Sequence, residues 1–378
     1  MMDCCDRKQI SNRSHQENKR GRCLVDFELE ALIASGRIKG GSFGVQPNSL
    51  DVTLGDEGFA LTTDEVGIFQ PQEGRQVYDI VRELSSHRVD RLSLSQGAEL
   101  KVGHTYLFPL QGSVRLINNE RIKSSTKSTF GRLFVNARMM ADYNACFDEV
   151  HHVYSGDREA ALWLLVQPLV FNLVAYPGVA INQIRVFEGD DYVLSMSEIR
   201  ALTSSHTLLH EADGTKSRHI IGEGLQIHLD LKGKCTGLRA IQNHTPINLI
   251  SQNGYYEVEK YFDRIETSLG KVTVRPAQHY LFATKESLLI PSNISCELSA
   301  HSHKGVQGPL HFAGFVDSGF QGDLVFEIRP ELTQKELHDG MPLGDLVFYH
   351  NQIPKKLYGM QSNYQTQRGP KPAKYFKW

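Results

Sequence analysis

The sequence is short of cysteine, of net charge and of long apolar runs, and each shortage closes off a class of function. Its six cysteines, at positions 4, 5, 23, 146, 235 and 296, contain no Cys-x-x-Cys pair. A chain of 378 residues gains no disulfide framework from such a set, and a reducing cytoplasm is the expected setting. A formal net charge of -2 gives no general pull toward nucleic acid or an anionic membrane, so a site for a polyanion must be a local cluster. No apolar stretch approaches transmembrane length, and residues 1–22 lack the apolar core of a signal peptide. Polar and mixed in charge, that segment is expected to be a disordered leader.

What is present reads as mainly β. A helix is expected first, with Asp26 as N-cap, Leu29, Leu32 and Ile33 on one face, and Gly36 as its stop. Short apolar runs split by Gly, Asn, Asp and Pro follow, such as Tyr106–Leu110, Leu162–Val166 and Ala180–Phe187, the spacing of a sandwich or barrel. A polar stretch from Ser195 to His219 interrupts this pattern, and the pattern then starts again. Gly224–Leu231 is a worn copy of Ser49–Gly55, and His279–Ala283 echoes His104–Phe108. Asp339–Phe348 likewise echoes Tyr176–Phe187, at a shorter spacing that places extra loop within residues 141–160. A tandem duplication is the economical reading, with a domain over 23–200, a linker over 201–218 and a second domain over 219–378.

One stretch of the second half carries a lone carboxylate. In Asp323–Ile328, Leu324, Phe326 and Ile328 alternate with Asp323, Val325 and Glu327, so period 2 puts three bulky side chains on a core face and Glu327 on the other. Asp317-Ser-Gly319 supplies turn chemistry before it. By itself this is a hairpin with a solvated Glu, or a pocket floor.

The run Ala313-Gly-Phe-Val-Asp317-Ser-Gly-Phe-Gln-Gly322-Asp-Leu-Val-Phe-Glu327 resembles the Ala-Gly-Phe-x-Asp-x-Gly-Phe-x-Gly-x-x-x-x-Glu signature of dCTP deaminases, in the dUTPase-like superfamily. The resemblance implies a duplicated dUTPase-like β-barrel or sandwich with a short N-terminal helix, and Glu327 as the catalytic acid and base. In the dUTPases of the superfamily that position is usually apolar. Gln46–Gly55 is similar to the Ser-x-Asp-x-Arg-Leu-Gly motif near the start of the family. Lys127-Ser-Thr-Phe-Gly-Arg132-Leu resembles its Arg-Ser-Ser-x-x-Arg-Leu phosphate motif, which assigns Ser128 and Arg132 to the chemistry and Lys127 to the phosphates. Lys123-Ser-Ser-Thr126 offers a competing register, and Ser128 is preferred because Arg132 then falls at family spacing. Asn182-Gln183 is similar to the segment whose amide contacts phosphate.

The two halves have lost opposite parts of that pattern. In the first, Leu165 stands at the expected place of the carboxylate; in the second, His301–Val306 lacks the paired Arg, and Asp345 replaces the amide of Gln183. A carboxylate there repels a triphosphate. The implied site is therefore composite, with phosphates held by the first half and base and water by the second. Ala313, Asp317 and Val325 would complete the base side. The tail Leu357–Pro370 resembles the family's closing segment, which implies that Tyr358, Tyr364 and Gln367 fold over the nucleotide, although Asn363 stands where many relatives carry Lys.

A zinc deaminase needs His-x-Glu followed by Pro-Cys-x-x-Cys. His15-Gln-Glu17 occurs in the leader, but the cysteine motif is missing, so the expected chemistry uses no zinc. The resemblance implies deamination of dCTP to dUTP, a magnesium ion arriving with the triphosphate, no metal ligands of the protein's own, no nucleic-acid or membrane partner, and a homo-oligomer. A dUTPase, a bifunctional enzyme giving dUMP, and a non-catalytic nucleotide-binding relative are the alternatives.

Overall fold

Runs rich in Val, Ile, Leu and aromatics, punctuated by Gly, Asn and Asp, form strands throughout, and helices are few and short. The computed structural model describes residues 20–41, 43–61, 69–83, 89–117, 119–211, 213–217, 220–222, 224–267, 269–300, 313–359 and 362–378. Most of the expected leader and the segment His301–Val306 lie outside the described residues.

Each half stacks two sheets. In the first, Thr105–Val114 lies between Ala160–Pro168 and Glu57–Leu61, while Asn182–Glu188 lies between Glu120–Thr126 and Leu50–Val52. The second half repeats this order. Tyr280–Leu289 pairs with Gln321–Ile328 and Gly237–Ala240, and Pro342–His350 lies between Ile294–Ala300 and Leu225–His228.

The repetition extends to side chains. Tyr106 stacks on Phe108 with centroids 6.3 Å apart, and Tyr280 stacks on Phe282 at 6.0 Å. The Tyr106 hydroxyl accepts from the Lys101 backbone N–H at 2.8 Å, and that of Tyr280 accepts from Arg275 at 3.0 Å. A Cβ at Gly58 would come within 2.3 Å of the Phe108 ring, and one at Gly237 within 2.5 Å of Phe282. Both halves thus keep a glycine where an aromatic ring lies flat on the neighbouring strand.

Register fixes the equivalences. Leu165 stands opposite Leu107, and Glu327 opposite Leu281, so Leu165 is the counterpart of Glu327. Asp51 faces Gln183 across one pair of strands, and Gln226 faces Asp345 across its copy. The carboxylate and the amide have exchanged strands. The extra length of the first half lies between Glu120–Thr126 and Ala160–Pro168, and it includes the strand Glu149–His151 and the turn of helix His152–Ser155.

A helix at Val77–Glu83 covers the Leu165 face, packing Val77, Ile80 and Val81 with Phe59, Leu107, Trp163 and Leu165. The place of the lost carboxylate is now apolar core.

The halves share structure. Ala98–Leu100, Leu173–Ala175 and Ile247–Asn248 form one three-stranded sheet, and a single apolar cluster runs from Leu50 and Phe134 to Phe262, Leu281 and Phe376. The chain end is tied in as well, because Phe376–Lys377 pairs in parallel with Tyr256–Glu257.

Two local expectations are corrected. The first helix is Asp26–Ala34 with Val25 as its N-cap; Asp26 is buried, and its carboxylate accepts from the N–H groups of Lys355 at 3.0 Å and Lys356 at 2.8 Å. The stretch 201–218 is no plain linker. It holds the end of the helix Met196–Ser205, capped by Ser195 and Glu198, and the strand Leu209–His210, which pairs with Ser287 and Leu288. Among the described residues, no helix is long and apolar enough to cross a membrane.

Candidate active site

A polar cavity of about 360 Å³ opens between the halves. The first half lines it with Gln46, Asp51, Lys127, Ser128, Thr129, Arg132 and Gln183; the second contributes Phe315, Asp317, Phe320, Leu324 and the tail.

The strand Glu120–Thr126 ends in a tight turn, Ser128–Gly131, that brings its side chains to the cavity. Lys127 and Ser128 line the cavity, whereas Lys123 points to Tyr349 and Glu297. The N–H groups of Phe130 and Gly131 donate to the Lys127 carbonyl at 2.8 and 3.0 Å, which leaves neither of them for a phosphate. Lys127 Nζ meets Asp51 Oδ2 at 2.5 Å, and Gln183, across the strand pair from Asp51, accepts from the Ser49 hydroxyl at 3.1 Å.

Arg132 is buried, with one guanidinium nitrogen already committed. Nη1 donates to Gln367 Oε1 and to the Lys371 carbonyl, both at 2.9 Å, and the group lies 3.9 Å from the centroid of the Tyr364 ring. Burial pushes its pKa down. The Tyr364 hydroxyl pairs with Thr129 Oγ1 at 2.9 Å and accepts from the Lys374 N–H at 3.1 Å. Lys371 Nζ donates to the Asn363 carbonyl at 2.9 Å. The tail is therefore folded over the cavity, with Tyr358, Tyr364 and Gln367 all lining it. Burial raises the pKa of both tyrosines.

Glu327 is buried just behind this lining. A Cβ at Gly131 would stand 2.7 Å from Glu327 Oε1 and 2.9 Å from the Ala313 Cβ. Only a glycine leaves the carboxylate room against the turn of the opposite half. Val325, expected beside the substrate, is packed in the shared apolar cluster, and Leu324 is the neighbour that reaches the cavity. Its face of the strand meets the first half, so the alternation that reads as core against solvent separates two interiors.

Asp317 lines the cavity, but Oδ1 accepts from Arg185 Nη2 at 3.0 Å. Burial raises its carboxyl above the ordinary range, and Arg185 opposes that. Nothing in the sequence singles out Arg185, because one arginine in an apolar strand carries no motif.

Residues 22–190 match the family model described as the 2'-deoxycytidine 5'-triphosphate deaminase (DCD) N-terminal domain, and residues 195–376 match the C-terminal domain of the same description. Over 110 residues the chain is 33% identical to a protein of Thermobifida fusca (strain YX) named "dCTP deaminase, dUMP-forming", covering 27% of this chain and 56% of that protein. A protein of the same name from Clavibacter michiganensis subsp. michiganensis is 35% identical over 114 residues, 28% of this chain and 57% of its own. The chain thus spans little more than half the length of these curated relatives. The crystal structure of 2'-deoxycytidine 5'-triphosphate deaminase from Agrobacterium tumefaciens superposes with a TM-score of 0.81 at 25% identity, covering 90% of this chain and 99% of that one.

Proposed function

Because the chain belongs to the 2'-deoxycytidine 5'-triphosphate deaminase family, we propose that it hydrolyses dCTP to dUTP and ammonia at the cavity between its halves. The observation that carries this reading is the Glu327 carboxylate seated against Gly131, at the turn that begins with Ser128. Leu165 occupies the equivalent place in the first half, so one chain provides one such carboxylate.

In this reading Glu327 takes a proton from water and the hydroxide adds to carbon 4 of cytosine. The carboxyl then delivers a proton to ring nitrogen 3. The amino group leaves as ammonia, carrying a proton from the new hydroxyl, and the ring is left as uracil. The Ser128 hydroxyl and the Ala313 backbone are the fixed dipoles assigned to the developing charge. Lys127, Arg132 and Gln183 hold phosphates, Asp317 faces the sugar and base, and Tyr358, Tyr364 and Gln367 exclude water.

Magnesium enters with the substrate. The two carboxylates lining the cavity, Asp51 and Asp317, are each in an ion pair, with Lys127 and Arg185. That suits an ion held on triphosphate oxygens, where it offsets phosphate charge, better than a cage of protein ligands. The missing Pro-Cys-x-x-Cys supports water activation without zinc.

The test follows ammonia and pyrophosphate separately from dCTP and from dUTP. Ammonia without pyrophosphate is the expected result with dCTP; pyrophosphate in step with ammonia would replace this reading with the dUMP-forming one, and no ammonia would refute it. Mixing Arg132→Ala with Glu327→Gln after co-refolding should restore nothing, because both parts of the cavity come from one chain.

A further inference from the structure

The strand Asn182–Glu188 sends two side chains toward the second half. Gln183 reaches the cavity, and two residues on, on the same face, Arg185 goes deeper and is fully buried. Burying a guanidinium is costly unless its donors are paired; here both Nη atoms are, while Nε has no hydrogen-bond partner among the described residues. The hydrogen-bond acceptors of Arg185 among the described residues belong to the second half. Nη2 donates to Asp317 Oδ1 at 3.0 Å, Nη1 donates to the Cys296 carbonyl at 2.8 Å, and the guanidinium carbon lies 4.3 Å from the centroid of the Phe315 ring. Phe315 and Asp317 are both on the cavity wall. The next residue is held from the same side, since the Ser318 N–H donates to Oδ1 of the buried Asn48 at 2.8 Å.

We propose that Arg185 is a positioning residue for the nucleotide, a clamp from the phosphate-binding half that fixes the Phe315–Asp317 wall of the other half. The proposal rests on the functional reading above. An apolar side chain would join two halves at least as well as a buried ion pair does, so stability alone gives no reason for an arginine here. What the arginine adds is direction. It occupies one oxygen of Asp317 and leaves the other for a donor on the ligand, with the Phe315 ring held flat beside it. Without it, burial would drive Asp317 to take up a proton and present a donor where the site has an acceptor.

The experiment compares full-length wild type with R185M, R185K, D317N and R185M/D317N, reading Kd and KM for dCTP, kcat and Tm. R185M should weaken dCTP by roughly tenfold or more while kcat at saturation stays within about threefold, because the guanidinium acts on binding and not on the chemical step. D317N should move Kd in the same direction, and the double variant should bind no worse than the weaker single one, as expected of one coupled unit. R185K keeps the charge but loses the fork and the stacking, so an intermediate Kd at near wild-type Tm is expected. Should R185M not fold, R185K and D317N still decide. A fall in Tm with unchanged Kd, or fully additive effects of the two substitutions, would overturn the clamp. Wild type that neither binds nor deaminates dCTP would instead overturn the functional reading.

Discussion

Replacing Arg132 by Met keeps the bulk of the side chain and removes its charge, which isolates what the guanidinium does for the tail. In the structure Nη1 makes two hydrogen bonds to the tail, at 2.9 Å each, and the group stacks on Tyr364 at 3.9 Å. Charged hydrogen bonds contribute about 1.5–3 kcal/mol each when partners stay buried, and a desolvated cation–π contact adds about 1–2 kcal/mol. Opening returns the tail's carbonyl and amide to water, so the net loss is set at about 3 kcal/mol, or roughly a hundredfold in the closing equilibrium. Amide hydrogen exchange reads this directly. The N–H of Lys374, bonded to the Tyr364 hydroxyl, and that of Thr366, bonded to the Gln321 carbonyl, should exchange about a hundredfold faster in Arg132→Met, while the strand Tyr280–Leu289 keeps its protection. KM for dCTP should rise in parallel. Unchanged exchange at these amides would show that the tail is held by its apolar contacts and that the reasoning is wrong.

Glu327→Gln should bind dCTP with near wild-type Kd and release no ammonia, since the amide keeps the shape and loses the proton acceptor; turnover above a small fraction of wild type would remove Glu327 from the mechanism. Gly131→Ala should abolish turnover and lower Tm, because the new methyl would meet Glu327 Oε1 at 2.7 Å and the Ala313 Cβ at 2.9 Å, and an active variant would show that this contact is dispensable. His279 supplies a pH test: burial holds its pKa at about 4, below the ordinary 6.5, so the folded state resists a proton that the unfolded state accepts. Stability should therefore be intact above pH 6.5 and decline from there toward pH 4, by up to about 3 kcal/mol from this group, and a His279→Gln variant with the same acid decline in Tm would contradict the assignment.

The chemistry is legible where it rests on local pattern. Asp317, the turn glycines and Glu327 lie within one short stretch, and the counterpart Leu165 follows once Tyr106 and Tyr280 are aligned. What stays hidden depends on partners far away in the chain. Asp26 reads as a helix cap because caps are local, whereas its carboxylate serves backbone 329 and 330 residues downstream. Arg185 meets Asp317 across 132 residues and leaves no trace in a strand of otherwise ordinary alternation. Val325 packs in the shared apolar cluster for a related reason, since alternation tells which side chains share a face but not that a second domain covers it. The helix Met196–Ser205 is a different failure. Its Ser195-x-x-Glu198 capping box is visible in the sequence, but the polar composition around it reads as linker.

The closing segment is fastened at both of its ends: near Lys355 and Lys356 by Asp26, and at Phe376–Lys377 by the parallel pairing with Tyr256–Glu257. It therefore works as a belt and not as a free flap. Under the proposed function, admitting a nucleotide would require the middle, around Tyr364 and Gln367, to bow outward while both anchors hold, so the segment would not search for its docking site from a distance. Loop-closure entropy is already met by the anchors, and re-closing is a short-range event whose rate should be insensitive to crowding and to protein concentration. Cutting one anchor would change that character. A chain released at Phe376 would still carry every residue that the proposed function assigns to the nucleotide, yet its tail would have to find its seat anew after each opening.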